Sequence, residues 1–89
     1  MKVLEKVKEF AEEYFKKRED PDKKRLISHV VFGAKWCCED GKHSLYYIRD
    51  AIDIKYPIPA GGRNYEEAEN ASAFELGAYL AYDIYRNSK

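Results

Sequence analysis

Apolar residues first recur at helical spacing and then change rhythm along this chain. Val3, Val7, Phe10 and Tyr14 return every three or four positions, with Leu4, Ala11 and Phe15 beside them, while Glu5, Glu9, Glu12 and Lys16 fall opposite. The spacing predicts a one-faced helix over 2–18, supported by the pairs Glu12–Lys16 and Glu13–Lys17. The run "EDPDKKR" ends it, because Pro21 disfavours helix at Asp20 and has no N–H to continue the ladder.

From Leu26 the pattern reads as alternation, and "RLISHVVFGAKWCCEDGKHSLYYIRDAIDIKYP" predicts two long strands joined at "EDG". A three-residue loop, with Glu39-Asp40 in a type I turn and Gly41 left-handed, separates the faces better than a two-residue turn. It sends Leu26, Val30, Phe32, Ala34, Trp36 and Cys38 inward with Tyr46, Ile48, Ile52 and Ile54. His29, Lys35, Cys37, His43, Tyr47, Arg49 and Asp53 then point outward. Asp50 lands on the core side, so a bulge or break is expected near "RDAID".

The chain ends in a second helix. Asn64 is a good N-cap and Glu67, three residues on, completes a capping-box pattern, so the helix is predicted over 65–85. It carries two apolar stripes: Ala73, Leu76, Leu80 and Ile84 on one side, Phe74, Ala78, Ala81 and Tyr85 on another. The expected fold is α+β, in the order α-β-β-(β)-α, with a long antiparallel hairpin packed on two helices in a single domain over 1–89. A short third strand fits near 53–58. Two strands leave both sheet edges bare and one helix stripe uncovered, which points to a homo-oligomer with Phe74, Ala78, Ala81 and Tyr85 at its interface.

Composition narrows the function classes. At 89 residues the chain is near the size where one core is only just sufficient. Lys plus Arg equal Asp plus Glu at 16 each, so no bulk charge draws it to nucleic acid or anionic membrane. The α-β-β-(β)-α order is loosely that of double-stranded RNA-binding domains, but the last helix lacks the lysine run with which they grip phosphates. Apolar runs are too short to span a bilayer and no signal peptide precedes the first helix, which points to a cytoplasmic protein with no membrane attachment. Cys37 and Cys38 are adjacent, and neighbours on a strand face opposite ways, so both are expected to be reduced. His29, Cys37 and His43 on one face lack the further ligands of a metal site and the oxyanion donors of a catalytic one. No cofactor, metal or enzymatic signature emerges.

The stretch "YPIPAGGRNYEEAEN" raises the sharpest question of chemistry. Gly61 and Gly62 free the backbone, Arg63 offers a fork of donors, and a helix start follows, which together are the parts of an anion site. Asn64, Glu66 and Glu67 already satisfy and shield that helix start, so a stiff linker ending in a cap is the competing reading. The anion reading assembles Lys35, Tyr47, Arg49, Gly61, Gly62, Arg63 and Asn64 into an interface pocket for a phosphorylated or nucleotide-like small molecule, in a non-enzymatic binding protein. The alternative is a protein-interaction module or inhibitor, of the kind a phage or mobile element makes, working through a strand edge or the tyrosine-rich last helix.

Overall fold

The computed structural model describes residues 2–88, and these form four helices: α1 Lys2–Tyr14, α2 Asp22–Cys38, α3 Ile48–Lys55 and α4 Tyr65–Asn87. Among the described residues there is no strand, so the α+β expectation and the long hairpin are both overturned. The first expected strand is α2 and the second falls largely on α3; of the short third strand expected near 53–58, residues 53–55 end α3 and 56–58 begin a non-helical linker that runs to 64.

The residues that bury themselves explain α2. Leu26, Val30, Gly33, Ala34 and Cys37 are all buried and follow each other at intervals of three and four, with Trp36 buried beside them. Val30, Val31, Ile27 and Phe32 are strand formers, but their helix propensities trail that of alanine by no more than about 0.7 kcal/mol each. Burying one large apolar side chain contributes about 1.5–3 kcal/mol. Packing therefore outweighs local preference. Pro21 plays the opposite part to the one its position implies. It stands at the N-cap of α2, where a missing N–H costs nothing, and starts the helix that follows; α1 has already ended at Tyr14, short of the expected Arg18.

The turn after α2 also departs from the hairpin expectation. Left-handed backbone falls on Lys42 (φ 50°) and His43 (φ 63°) rather than on Gly41. The N–H groups of Gly41 and His43 donate to the carbonyls of Trp36 and Cys37, at 2.7 Å each, and so close the end of the helix. Cys37 is buried and Cys38 half-buried, the reverse of the strand-based faces. Burial pushes the Cys37 thiol up to about 11.

α2 and α4 run in the same direction and form the centre. Arg25 meets Asn70 near their starts, and His43, just beyond α2, stacks on Tyr85 near the end of α4 with ring centroids 3.8 Å apart. At their crossing the backbones touch. A Cβ on Gly33 would overlap the carbonyl oxygen of Phe74, and one on Gly77 would overlap that of Val30. Each glycine thus seats on the carbonyl three residues before the other. Phe74, fully buried, fills the space beside the crossing against the edges of Phe32 and Tyr56 and the tilted ring of Trp36.

α1 packs on α2 and α4 and runs antiparallel to α4, its end beside Tyr65 and Ser72 and Lys6 beside Asp83 and Asn87, and α3 rests on α4. The two stripes of α4 are therefore both covered within one chain. Phe74, Ala78 and Ala81 are buried in the core that α2 shares, and Ala73, Leu76, Leu80 and Ile84 belong to the same core on the side facing α1. α4 begins as expected: the Glu67 N–H donates to Asn64 Oδ1 at 2.8 Å, and the Asn64 N–H to Glu67 Oε1 at 3.1 Å. No helix among the described residues is long and apolar enough to cross a membrane.

Candidate functional site

α1 does not turn its whole apolar face inward. Val7 and Ala11 are fully buried and Phe15 nearly so, while Phe10 is 44% and Tyr14 62% exposed. The helix is rotated so that positions 7, 11 and 15 reach the core, which leaves 10 and 14 on its outer flank. Phe10 and Tyr14 stack there with centroids 5.8 Å apart, and Tyr14 meets the Phe15 ring edge-on at 4.9 Å.

Between this end of α1 and the first half of α4 lies an open cleft of about 400 Å³. Its floor is Phe15, Leu26, Ala73 and Leu76, which belong to the core or pack against it. Tyr14 and Tyr65 form aromatic walls, and Tyr65, the first residue of α4, is 75% exposed. Ser72 supplies a hydroxyl.

Charge at the cleft is closed on itself. Glu69 takes a hydrogen bond from Arg18 Nη2 at 2.8 Å on one oxygen and from Arg25 Nη2 at 3.3 Å on the other. Arg25, mostly covered, also donates to Asn70 Oδ1 and to Asp22, and lies 3.7 Å from Glu66. The hydrogen bond that Arg18 donates to Glu69, and the negative charge of Glu69, raise the Arg18 pKa above its ordinary value. Both guanidiniums near the cleft are thus matched, and the network ties the α1–α2 corner to α4. What remains open is aromatic and aliphatic surface with the Ser72 hydroxyl.

The residues singled out from sequence lie elsewhere. Lys35 is exposed in the last turn of α2, and Arg49 is exposed in the first turn of α3. Tyr47 caps α3 and meets Tyr46 edge-on at 4.7 Å. Gly61 and Gly62 are exposed, and Gly62 has the left-handed φ of 87°. Arg63 turns back on its own linker: Nη2 donates to the Tyr56 carbonyl at 2.6 Å, and Nε is buried with no hydrogen-bond partner. Asn64 is spent on the cap. Within one chain no polar contact joins Lys35, Tyr47 or Arg49 to 61–64 among the described residues. Phe74, Ala78 and Ala81 are buried by their own chain and out of reach of a second copy, and Tyr85 carries the His43 ring. The two premises of the oligomer argument, a bare sheet and an uncovered stripe, are gone.

Sequence reasoning missed the cleft because it placed Phe10 and Tyr14 on the buried face of α1. The usable signal was width: seven apolar positions on one short helix exceed what one contact face can bury. No group of three or more His, Cys, Asp or Glu is placed to hold a metal among the described residues. Comparisons with family models, curated proteins and solved structures find no match to this chain.

Proposed function

We propose that this chain is a non-enzymatic binding protein whose α1–α4 cleft receives an apolar or aromatic side chain of a protein partner. The observation that carries this reading is the pair of exposed tyrosines, Tyr14 and Tyr65, standing over a floor of core residues. Tryptophan, tyrosine and arginine are the side chains on which binding energy concentrates, in well-packed pockets from which water is excluded. The apolar surface also extends past the cleft through Phe10, which favours a protein over a small molecule that the cleft alone would hold. A phosphorylated ligand has less to recommend it, because Arg18 and Arg25 already share Glu69.

Selection of a displayed peptide library on the folded protein tests the proposal. The expected peptides share one bulky aromatic or aliphatic anchor. Tyr14→Ala and Tyr65→Ala should each weaken them by about 2 kcal/mol, the scale of an interface hot spot. Ser72→Trp, on an exposed helical position, should block the cleft while leaving the helical circular dichroism intact. Peptides whose binding ignores all three changes would overturn the proposal.

A further inference from the structure

The seam where α1 lies on α4 carries a second hollow beyond the cleft. Its volume is about 350 Å³, its floor is Leu80 and Ile84, and Lys6 of α1 faces Asp83 and Asn87 of α4 across it. Leu76 lines the cleft and Leu80 the second hollow, one turn apart on α4. On α1 the exposed Phe10 stands one turn from Lys6, at the second hollow, and one turn from Tyr14, at the cleft. The two hollows are thus the ends of one seam, with centres about 14 positions of α4, or about 20 Å, apart. Charge differs between the ends. At the cleft Arg18 is bonded to Glu69. At the second hollow Lys6 and Asp83 are exposed on opposite walls, and neither has an ion pair among the described residues.

Resting on the cleft as the docking site, we propose that the partner's segment is an amphipathic helix lying along the whole α1–α4 seam. Its bulky anchor fills the cleft, and a second apolar residue about 14 positions away, on the same helical face, fills the far hollow. The free charges set the flanks of that second anchor: an acid on the α1 side, facing Lys6, and a base on the α4 side, facing Asp83. A helix with the opposite arrangement meets like charge on both walls. An extended segment has no place here, because it needs a sheet edge to pair its backbone and the described residues contain no strand. A helix satisfies its own backbone, and a groove between two helices admits a third at an interaxial distance of about 8–10 Å.

Selection of displayed 20-residue peptides on the whole chain, beside short peptides that carry one anchor, tests the seam. The expected long binders carry apolar anchors about 14 positions apart, gain helical circular dichroism on binding, and bind about tenfold or more tightly than the short ones. Asn87→Trp, at an exposed position, fills the far hollow and should remove that gain while leaving short-peptide binding unchanged. Lys6→Glu and Asp83→Lys should each weaken the long binders about threefold. The double variant should recover a peptide whose flanking acid and base are exchanged. Short peptides that bind through Tyr14 and Tyr65, with no gain for longer ones, overturn the helix and leave the cleft standing as a docking site. Short peptides indifferent to Tyr14→Ala and Tyr65→Ala overturn the cleft reading, and the helix with it. Long binders that stay non-helical, or that ignore Asn87→Trp and both charge reversals, also overturn the proposal. So does a chain that dimerises through the seam in sedimentation, since the occupant is then a second copy.

Discussion

Gly33 and Gly77 stand where α2 crosses α4, and Gly61 and Gly62 stand in the linker before α4. At the crossing a glycine is required because another backbone occupies the place of its side chain. In the linker nothing lies within 4 Å of a Cβ built on either residue, and only the left-handed φ of Gly62 calls for glycine. The same residue type thus marks the tightest and the loosest parts of the molecule. A glycine pair in sequence is a conspicuous feature, whereas two single glycines 44 positions apart, at 33 and 77, look incidental until the helices are brought together. The functional reading from sequence went to the conspicuous pair. The architecture depends on the other.

The contrast breaks most directly by adding methyl groups. Gly33→Ala and Gly77→Ala should each destabilise the protein by about 3 kcal/mol, at the upper end for overpacking because the obstacle is backbone, and despite a helix-propensity gain of about 1 kcal/mol. Urea denaturation followed by circular dichroism measures this, and a loss under about 1 kcal/mol would show that the helices separate easily. Next in size is the cap that joins linker to α4: Asn64→Ala should cost about 1 kcal/mol by the same measurement. Gly61→Ala should fall between no effect and a gain of about 0.5 kcal/mol, since it restricts the unfolded chain and meets nothing when folded.

Acidity sharpens the comparison from the other side. His29 has a folded-state pKa below its ordinary 6.5, so the folded state binds its proton less readily than the unfolded one. Its contribution is complete above that value and is lost as pH falls through the folded pKa. Thermal unfolding of the wild type should therefore move to lower temperature as pH falls below about 6.5, and His29→Gln should show the smaller shift. At the alkaline end Cys37 and Tyr56 act oppositely. Their pKa values are raised, to about 11 and about 12, so their contributions are whole below their ordinary 9.0 and 10.0 and decline as pH rises beyond those values.

The misreading of α2 has a specific cause. Between Leu26 and Cys38 the buried set at 26, 30, 33, 34 and 37 carries a helical period, but Ile27, Val31, Phe32 and Cys38 fill the gaps and create an alternation as well. Two periods fit one stretch, and β-branched residues tip a local judgement toward strand. The awkward Asp50 was the internal warning: on α3 it is exposed, with Ala51 and Ile52 buried beside it. The cleft was harder to read still. Its walls come from residues 14 and 65, and only the antiparallel packing of α1 on α4 makes them neighbours.

By itself the sequence determined α1, α4, the Asn64 cap and the need of α4 for cover on two sides. These rest on local spacing and on hydrogen bonds between residues three or four apart, which a chain carries wherever it goes. The tertiary structure alone decided that α2 is a helix, that α1 and α2 of the same chain cover α4, and that Phe10 and Tyr14 stay exposed. Those outcomes depend on which buried surfaces can meet. The meeting of Gly33 with Phe74 and of Gly77 with Val30 lets α2 approach α4 closely enough to bury one stripe within a single chain. Long-range packing of this kind contributes several times what local propensity opposes, and it leaves no mark in any short window of sequence.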